Sequence, residues 1–229
     1  MTEVEWLNRA YVKVSSWNEQ LWATEGFSYK DVGEQNLDHA LVNAPYIFKH
    51  DQTTTVARWE VPSHRLILKR FNARSEAHKV KRALRRSRAR ACWLMSYEFQ
   101  RLGLNVPEPV LMYEPRIGPL RGNSYFANVY LPGEVLLSSL PKMPKAQQIK
   151  VADAVGEAFE TMRVNKLTHG DLKANNLIWM DDKLYFIDLD AATFHATSLS
   201  WRITQNSQKA RFMKNWDGLP AVKHVFRNL

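Results

Sequence analysis

The chain has 229 residues, 45% of them apolar, 11% aromatic and 24% charged, with 32 Lys+Arg against 23 Asp+Glu and a single cysteine. These proportions suit one globular unit or two small lobes sharing a cleft, and they exclude wholesale disorder, a collagen-like repeat and a disulfide scaffold. The net charge of +9 is concentrated between Arg65 and Arg90, where eleven Lys/Arg accompany one acid, Glu76, giving that segment +10 and the remainder −1. A uniformly basic nucleic-acid coat is therefore disfavoured and a local anion-facing surface favoured.

The start, Met1-Thr2-Glu3-Val4-Glu5-Trp6, is acidic where a signal peptide is basic, and no run nears the roughly eighteen apolar residues that suggest a membrane span. A cytoplasmic location is expected. Residues 65–90 could hold the chain peripherally on an anionic membrane face, since each basic side chain near such a surface contributes on the order of 1 kcal/mol. Cys92 fits a reducing compartment and reads as a small buried helix residue. The first forty residues, rich in tryptophan (Trp6, Trp17, Trp22), read as irregular or helical packing material without assignable chemistry.

Tyr46–Lys49, Thr55–Glu60 and Arg65–Phe71 read as strands, the first two joined by the polar turn His50-Asp51-Gln52-Thr53-Thr54. Residues 75–102 lack Gly and Pro and predict a long helix or a broken pair, with Leu84, Ala91, Leu94, Met95 and Leu102 facing inward and Gly103 as the stop. Val110–Tyr113 and Tyr125–Tyr130 form a further strand pair, and Leu131-Pro132-Gly133 reads as a linker. Ile149, Ala152, Val155, Phe159 and Met162 predict an amphipathic helix over Lys145–Val164. Leu177–Met180 and Leu184–Asp188 flank Asp181-Asp182-Lys183 as a hairpin, and the tail from Ser200 reads as helical.

The chemistry concentrates in Thr168-His169-Gly170-Asp171-Leu172-Lys173-Ala174-Asn175-Asn176-Leu177-Ile178, followed by Tyr185-Phe186-Ile187-Asp188-Leu189-Asp190. Asp171 and Asn176 are five apart, and Asp188 lies twelve beyond Asn176 across a hairpin that can fold it back beside them. A carboxylate to orient an attacking hydroxyl, an amide oxygen and a second carboxylate would converge, which is what phosphoryl transfer with Mg²⁺ needs. Spacing favours Asp188 over Asp190 as the metal ligand. His169 reads as a structural hydrogen-bonding residue, because the carboxylate already supplies the base.

These residues resemble the protein-kinase-like superfamily, whose catalytic loop has the form H-x-D-L-x-x-x-N and whose metal-binding Asp follows a short hairpin; Leu66-Ile67-Leu68-Lys69 looks like its lysine-bearing strand. The resemblance implies an α+β, bilobal fold, with a small antiparallel-sheet lobe over residues 1–130, a short, mostly helical lobe over 131–229, and ATP between them. It implies Asp171 as catalytic base, Lys173 as neutraliser of the transferred phosphoryl group, Asn176 and Asp188 as Mg²⁺ ligands, and Lys69 on the α and β phosphates. Gly170, where most protein kinases have Arg, points to small-molecule, lipid or atypical branches.

More narrowly, the basic stretch Arg85-Arg86-Ser87-Arg88-Ala89-Arg90, Leu102-Gly103-Leu104-Asn105-Val106-Pro107 and the HGDLKANNL loop are similar to the lipopolysaccharide kinases that phosphorylate Kdo or heptose of the inner core. That similarity runs from about Tyr46 to Asp190. It implies a lipid A-core glycolipid acceptor, found at the cytoplasmic face of the inner membrane. No nucleic-acid partner is expected, because the basic stretch lacks the interleaved aromatics of a nucleic-acid platform. The alternatives are an atypical protein kinase of RIO-like or tRNA-modification-linked type, a small-molecule phosphotransferase, or a pseudokinase scaffold. Two departures stand out. No glycine lies in the turn from His50 to Thr55, and the helix Glu that should pair with Lys69 falls on Cys92, with Glu98 about 240° around the helix.

Overall fold

The computed structural model describes residues 11–28, 32–62, 64–72, 86–227 and 229. Expectations that fall on residues 73–85, including Arg74, Lys79, Lys81, Arg82, Leu84 and Arg85, and on Trp6, lie outside the described residues. The chain divides into two units, residues 1–97 with 108–131, and residues 98–107 with 132–229.

The first unit is built on an antiparallel sheet. Its strands are β1 (Tyr11–Ser15), β2 (Glu19–Thr24), β3 (Ile47–His50), β4 (Thr54–Val61), β5 (His64–Phe71), β6 (Pro109–Ile117), β7 (Leu120–Arg121) and β8 (Ser124–Val129). They run in the order β1-β2-β6-β8-β5-β4-β3, with β7 paired to β6. The hairpin of β1 and β2 corrects the expectation of irregular or helical chain there: Val12, Val14, Leu21 and Trp22 are β-branched or large residues that pack on a pleated surface.

Each face of this sheet buries a different helix. On one face α1 (Glu34–Val42) packs Leu37 and Leu41 against Leu68, Leu111, Tyr125 and Ala127. On the other, α2 (Arg88–Arg101) packs Ala89, Cys92 and Trp93 against Trp22, Phe71, Met112 and Phe126. Each large side chain so buried contributes about 1.5–3 kcal/mol. Gly103, at φ +78°, ends α2 by adopting the left-handed conformation that a helix C-terminus often needs.

The second unit carries α3 (Leu136–Ser139), α4 (Lys145–Val164), β9 (Leu167–Thr168), β10 (Leu177–Met180), β11 (Lys183–Phe186), β12 (Thr193–Phe194), α5 (Ser198–Lys214) and α6 (Pro220–Val225). Residues 98–107, expected with the first lobe, group here for a physical reason. Asn105 C=O accepts the Phe186 N–H at 2.9 Å, its side-chain amide donates to Leu184 C=O at 3.3 Å, and Phe99 packs on Phe186 at 5.5 Å between ring centres. The buried face of α4 is Val151, Ala152, Val155, Ala158 and Met162, whereas Ile149, expected inside, is exposed. Phe212, Trp216 and Phe226 form an aromatic core beneath α5 and α6, with Phe212 and Phe226 edge-to-face at 5.0 Å.

Candidate active site

The segment after β9 alternates in and out. Leu172, Ala174 and Asn176 are buried, while Asp171, Lys173 and Asn175 face outward or lie half-buried. Apolar Leu172 and Ala174 thus pin the loop, leaving the charged side chains between them available for chemistry. A short 3₁₀ turn, Ala174–Asn176, turns Asn176 back: its Nδ2 donates to Asp171 C=O at 2.8 Å and lies 3.4 Å from Asp171 Oδ2. With the amide nitrogen committed to Asp171, the amide oxygen is directed away from that carboxylate.

The β10–β11 hairpin brings Asp188 to the same place. Its turn is Asp181 and Asp182, both left-handed (φ 51° and 54°), as a tight two-residue hairpin requires. Leu177 pairs with Phe186, and one step further out Ile187 N–H donates to Asn176 C=O at 3.0 Å. His169 Nε2 donates to Ile187 C=O at 3.0 Å, so Ile187 is held at both of its backbone polar groups. Asp188 follows in a left-handed conformation (φ 65°, ψ 56°), one that Asp tolerates better than most residues.

His169 is fully buried and packs edge-on to Phe99. Burial lowers its pKa, against the opposing influence of the Ile187 carbonyl and of Asp188, Asp171 and Asp190. Because a carbonyl can only accept, the Nε2 carries the proton; Nδ1 has no hydrogen-bond partner among the described residues. This neutral imidazole is a structural strut, as the sequence reading holds.

Asp171 is half-buried, and its carboxylate is gripped from two sides. Lys173 Nζ donates to Oδ2 at 2.9 Å and Arg211 Nη1 to Oδ1 at 2.8 Å. Burial pushes its pKa up, but the bonds and charges of Lys173 and Arg211 outweigh that and hold it below the usual carboxylate range. Arg211 belongs to α5, as do two further contacts: Gln208 Oε1 accepts the Gly170 N–H at 2.6 Å, and Asn215, just past the helix, accepts the Ala174 N–H through Oδ1 at 3.0 Å. The sequence reading assigned none of these three. Their spacing, i, i+3 and i+7, is a polar stripe on one helical face, legible only once the helix is known to lie against the loop.

In the first unit, Lys69 is half-buried on β5, on the same sheet face as Phe71, with its ammonium 5.0 Å from the Phe71 ring. Cys92 lies in the apolar cluster on that face, so α2 presents a thiol where a Glu was sought; Glu98, the carboxylate within α2, pairs with Arg101 at 2.8 Å. The glycine-free turn is closed by its own side chain. Asp51 Oδ1 accepts from Thr53 N–H (2.7 Å), Thr53 Oγ1 (2.7 Å) and Thr54 N–H (2.9 Å). Thr54 Oγ1 accepts from Arg88 at 3.2 Å, and Thr55 Oγ1 bonds His50 Nδ1 at 3.1 Å. The hydroxyls of Thr53, Thr54 and Thr55 in this turn are therefore all engaged within the protein.

A family model of the RIO domain matches residues 130–202. KEOPS complex subunit Bud32 of Pyrococcus abyssi (strain GE5 / Orsay) is 37% identical over 68 residues, 30% of this chain; the match spans only 31% of that relative's length. Among solved structures, WaaP in complex with acyl carrier protein aligns over 91% of this chain and 92% of that one, with a TM-score of 0.60 at 17% identity. The chain has the protein-kinase-like fold. Within that fold the loop after β9 and the β10–β11 hairpin carry Asp171, Lys173, Asn176 and Asp188 in the second unit, and Lys69 is carried by the first. The donor chemistry suits Mg²⁺: an amide oxygen and a carboxylate are hard ligands, and Mg²⁺ is usually held by one or two carboxylates together with substrate phosphates and water.

Proposed function

We propose that the chain is an ATP-dependent phosphotransferase that moves the γ-phosphoryl group to a sugar hydroxyl of the lipopolysaccharide inner core, Kdo or heptose. The observation that carries the reading is the convergence, by hydrogen bonds and strand register, of Asp171, Asn176 and the turn bearing Asp188. Asp171 would accept the hydrogen bond of the attacking hydroxyl and orient its oxygen for in-line transfer. Lys173, bonded to the same carboxylate, would face the transferred phosphoryl group, and Lys69 the α and β phosphates. Mg²⁺ on Asn176 and Asp188 would, when bound, offset charge on the nucleotide phosphates.

The sugar acceptor is supported by the similarity of the Tyr46–Asp190 region to lipopolysaccharide kinases and by a fold likeness to WaaP that spans most of both chains. Under this reading the protein works at the cytoplasmic face of the inner membrane, held in part by residues 65–90, with no nucleic-acid partner. None of the described helices is long and apolar enough to cross a membrane. The solved WaaP is in complex with acyl carrier protein, and a protein partner of that kind belongs to the same proposal. The Bud32 and RIO-domain matches favour a second reading, an atypical protein kinase.

Incubation with labelled ATP and Mg²⁺, offering deacylated inner-core oligosaccharide and a panel of proteins in parallel, separates the two. Label on the oligosaccharide, reduced at least about 10³-fold in Asp171→Ala, is the expected result. Label on protein alone would move the assignment to the second reading, and transfer unaffected by Asp171→Ala would remove Asp171 from the chemistry.

A further inference from the structure

The two cations on Asp171 differ in what they can do. Lys173 is two residues along the same loop, so it moves with the carboxylate it binds and cannot fix that carboxylate against the rest of the unit. Arg211 stands on a 17-residue helix whose Phe212 is fully buried. That helix meets the loop at three points from one face: Gln208 at the Gly170 amide, Asn215 at the Ala174 amide, and Arg211 at the Asp171 carboxylate. The first two bonds set the path of the backbone on either side of Asp171. Gln208 is itself steadied by its Nε2, which donates to buried Gln205 Oε1 at 2.8 Å.

A lone exposed ion pair contributes about 0–1 kcal/mol and would have no consequence for the loop. This pair is different in its setting, because the same helix face that carries Arg211 already fixes the residues before and after its partner. We propose that Arg211 is a positioning residue: it aims the Asp171 carboxylate at the acceptor hydroxyl from a rigid helix, while Lys173 turns toward the phosphoryl group. Preorganised second-layer contacts of this kind hold a catalytic group within the narrow geometry that transfer demands, where a 1 Å error can cost about 10²-fold in rate. The inference rests on the phosphotransferase reading, and its test has a readout that does not.

Crystal structures of the full-length wild type and of Arg211→Met, both without nucleotide, give the first readout; transfer from ATP to deacylated inner-core oligosaccharide, for these two and for Arg211→Lys, gives the second. In Arg211→Met the backbone of residues 168–176 should stay in place and the melting temperature within about 2 °C, while the Asp171 carboxylate leaves its rotamer. Its kcat should fall about 10²-fold with KM for ATP within about twofold, and Arg211→Lys should recover part of the loss. An unchanged Asp171 rotamer, a displaced loop backbone, or a kcat within about twofold of wild type would each overturn the proposal. Loss of the rotamer in Arg211→Met, with no transfer to oligosaccharide by the wild type, would instead sink the sugar reading and leave the positioning role standing.

Discussion

Gly170 shows how a single backbone requirement shapes the charge around the candidate base. Its φ of +83° is strained for any side chain, and a Cβ there would overlap the carbonyl oxygen of Ala191. An arginine in that place, as most protein kinases have, has no room, and the guanidinium beside Asp171 is supplied from α5 instead. The preceding residue, His169, makes a prediction about acidity. Burial depresses its folded pKa below the ordinary histidine value of about 6.5, so protonation favours the unfolded chain. Stability held above that pH should decline as pH falls below about 6.5 and keep declining toward the folded value. Urea midpoints between pH 8 and pH 5 should show this slope, and His169→Gln, though less stable throughout, should flatten it; equal slopes in both proteins would rule out the burial account.

At the scale of elements, the turn between β3 and β4 substitutes a side chain for the glycines it lacks. Asp51 caps the Thr53 and Thr54 amides, and the Thr53 hydroxyl first, then Lys49 and those amides, hold its carboxyl well below the ordinary range. Asp51→Ala should speed hydrogen exchange at the Thr53 and Thr54 amides at least about tenfold while amides in the centre of β4 and β5 keep their protection. Unaltered exchange at those two amides would mean that the turn is held by its strand pairing alone. The same turn marks what was legible in the sequence. The strand–turn–strand pattern and the absence of glycine could be read directly, but the use of the Thr groups could not, because which donors Asp51 satisfies depends on the path of the turn. Likewise Lys145–Val164 is legible as a helix from its period, yet Ile149 faces out, since the buried stripe is selected by what lies against it.

For the whole molecule, the excess positive charge is less freely exposed than its sequence clustering suggests. Arg70 pairs with Asp38 at 2.9 Å, Lys69 and Arg88 lie over the Phe71 ring at 5.0 and 4.5 Å, and Arg90 lies over Trp22 at 4.9 Å, so four of the six described cations of this segment are partly spent on packing. Arg65 and Arg86 remain exposed among the described residues. Binding to vesicles with anionic lipid should therefore weaken in Arg65→Gln/Arg86→Gln and fade as salt rises from about 0.05 to 0.3 M, as screening shortens the reach of surface charge. Binding indifferent to both changes would argue that this segment does not meet a membrane.

Residue order alone determined strands β3, β4, β5, β6 and β8, the Gly103 stop and the Asp181-Asp182 hairpin, because each is a short-range pattern whose physics is local: alternation, backbone handedness, or the demands of a tight turn. It nominated Lys69, Asp171, Lys173, Asn176 and Asp188 through spacing and family resemblance. Only the tertiary structure decided that β1 and β2 join the sheet, that residues 98–107 group with the second unit, and that Gln208, Arg211 and Asn215 grip the loop. Those outcomes depend on which surfaces far apart in the chain come to lie together. Arg211 is 40 residues from Asp171, and no local propensity reports a contact over that span.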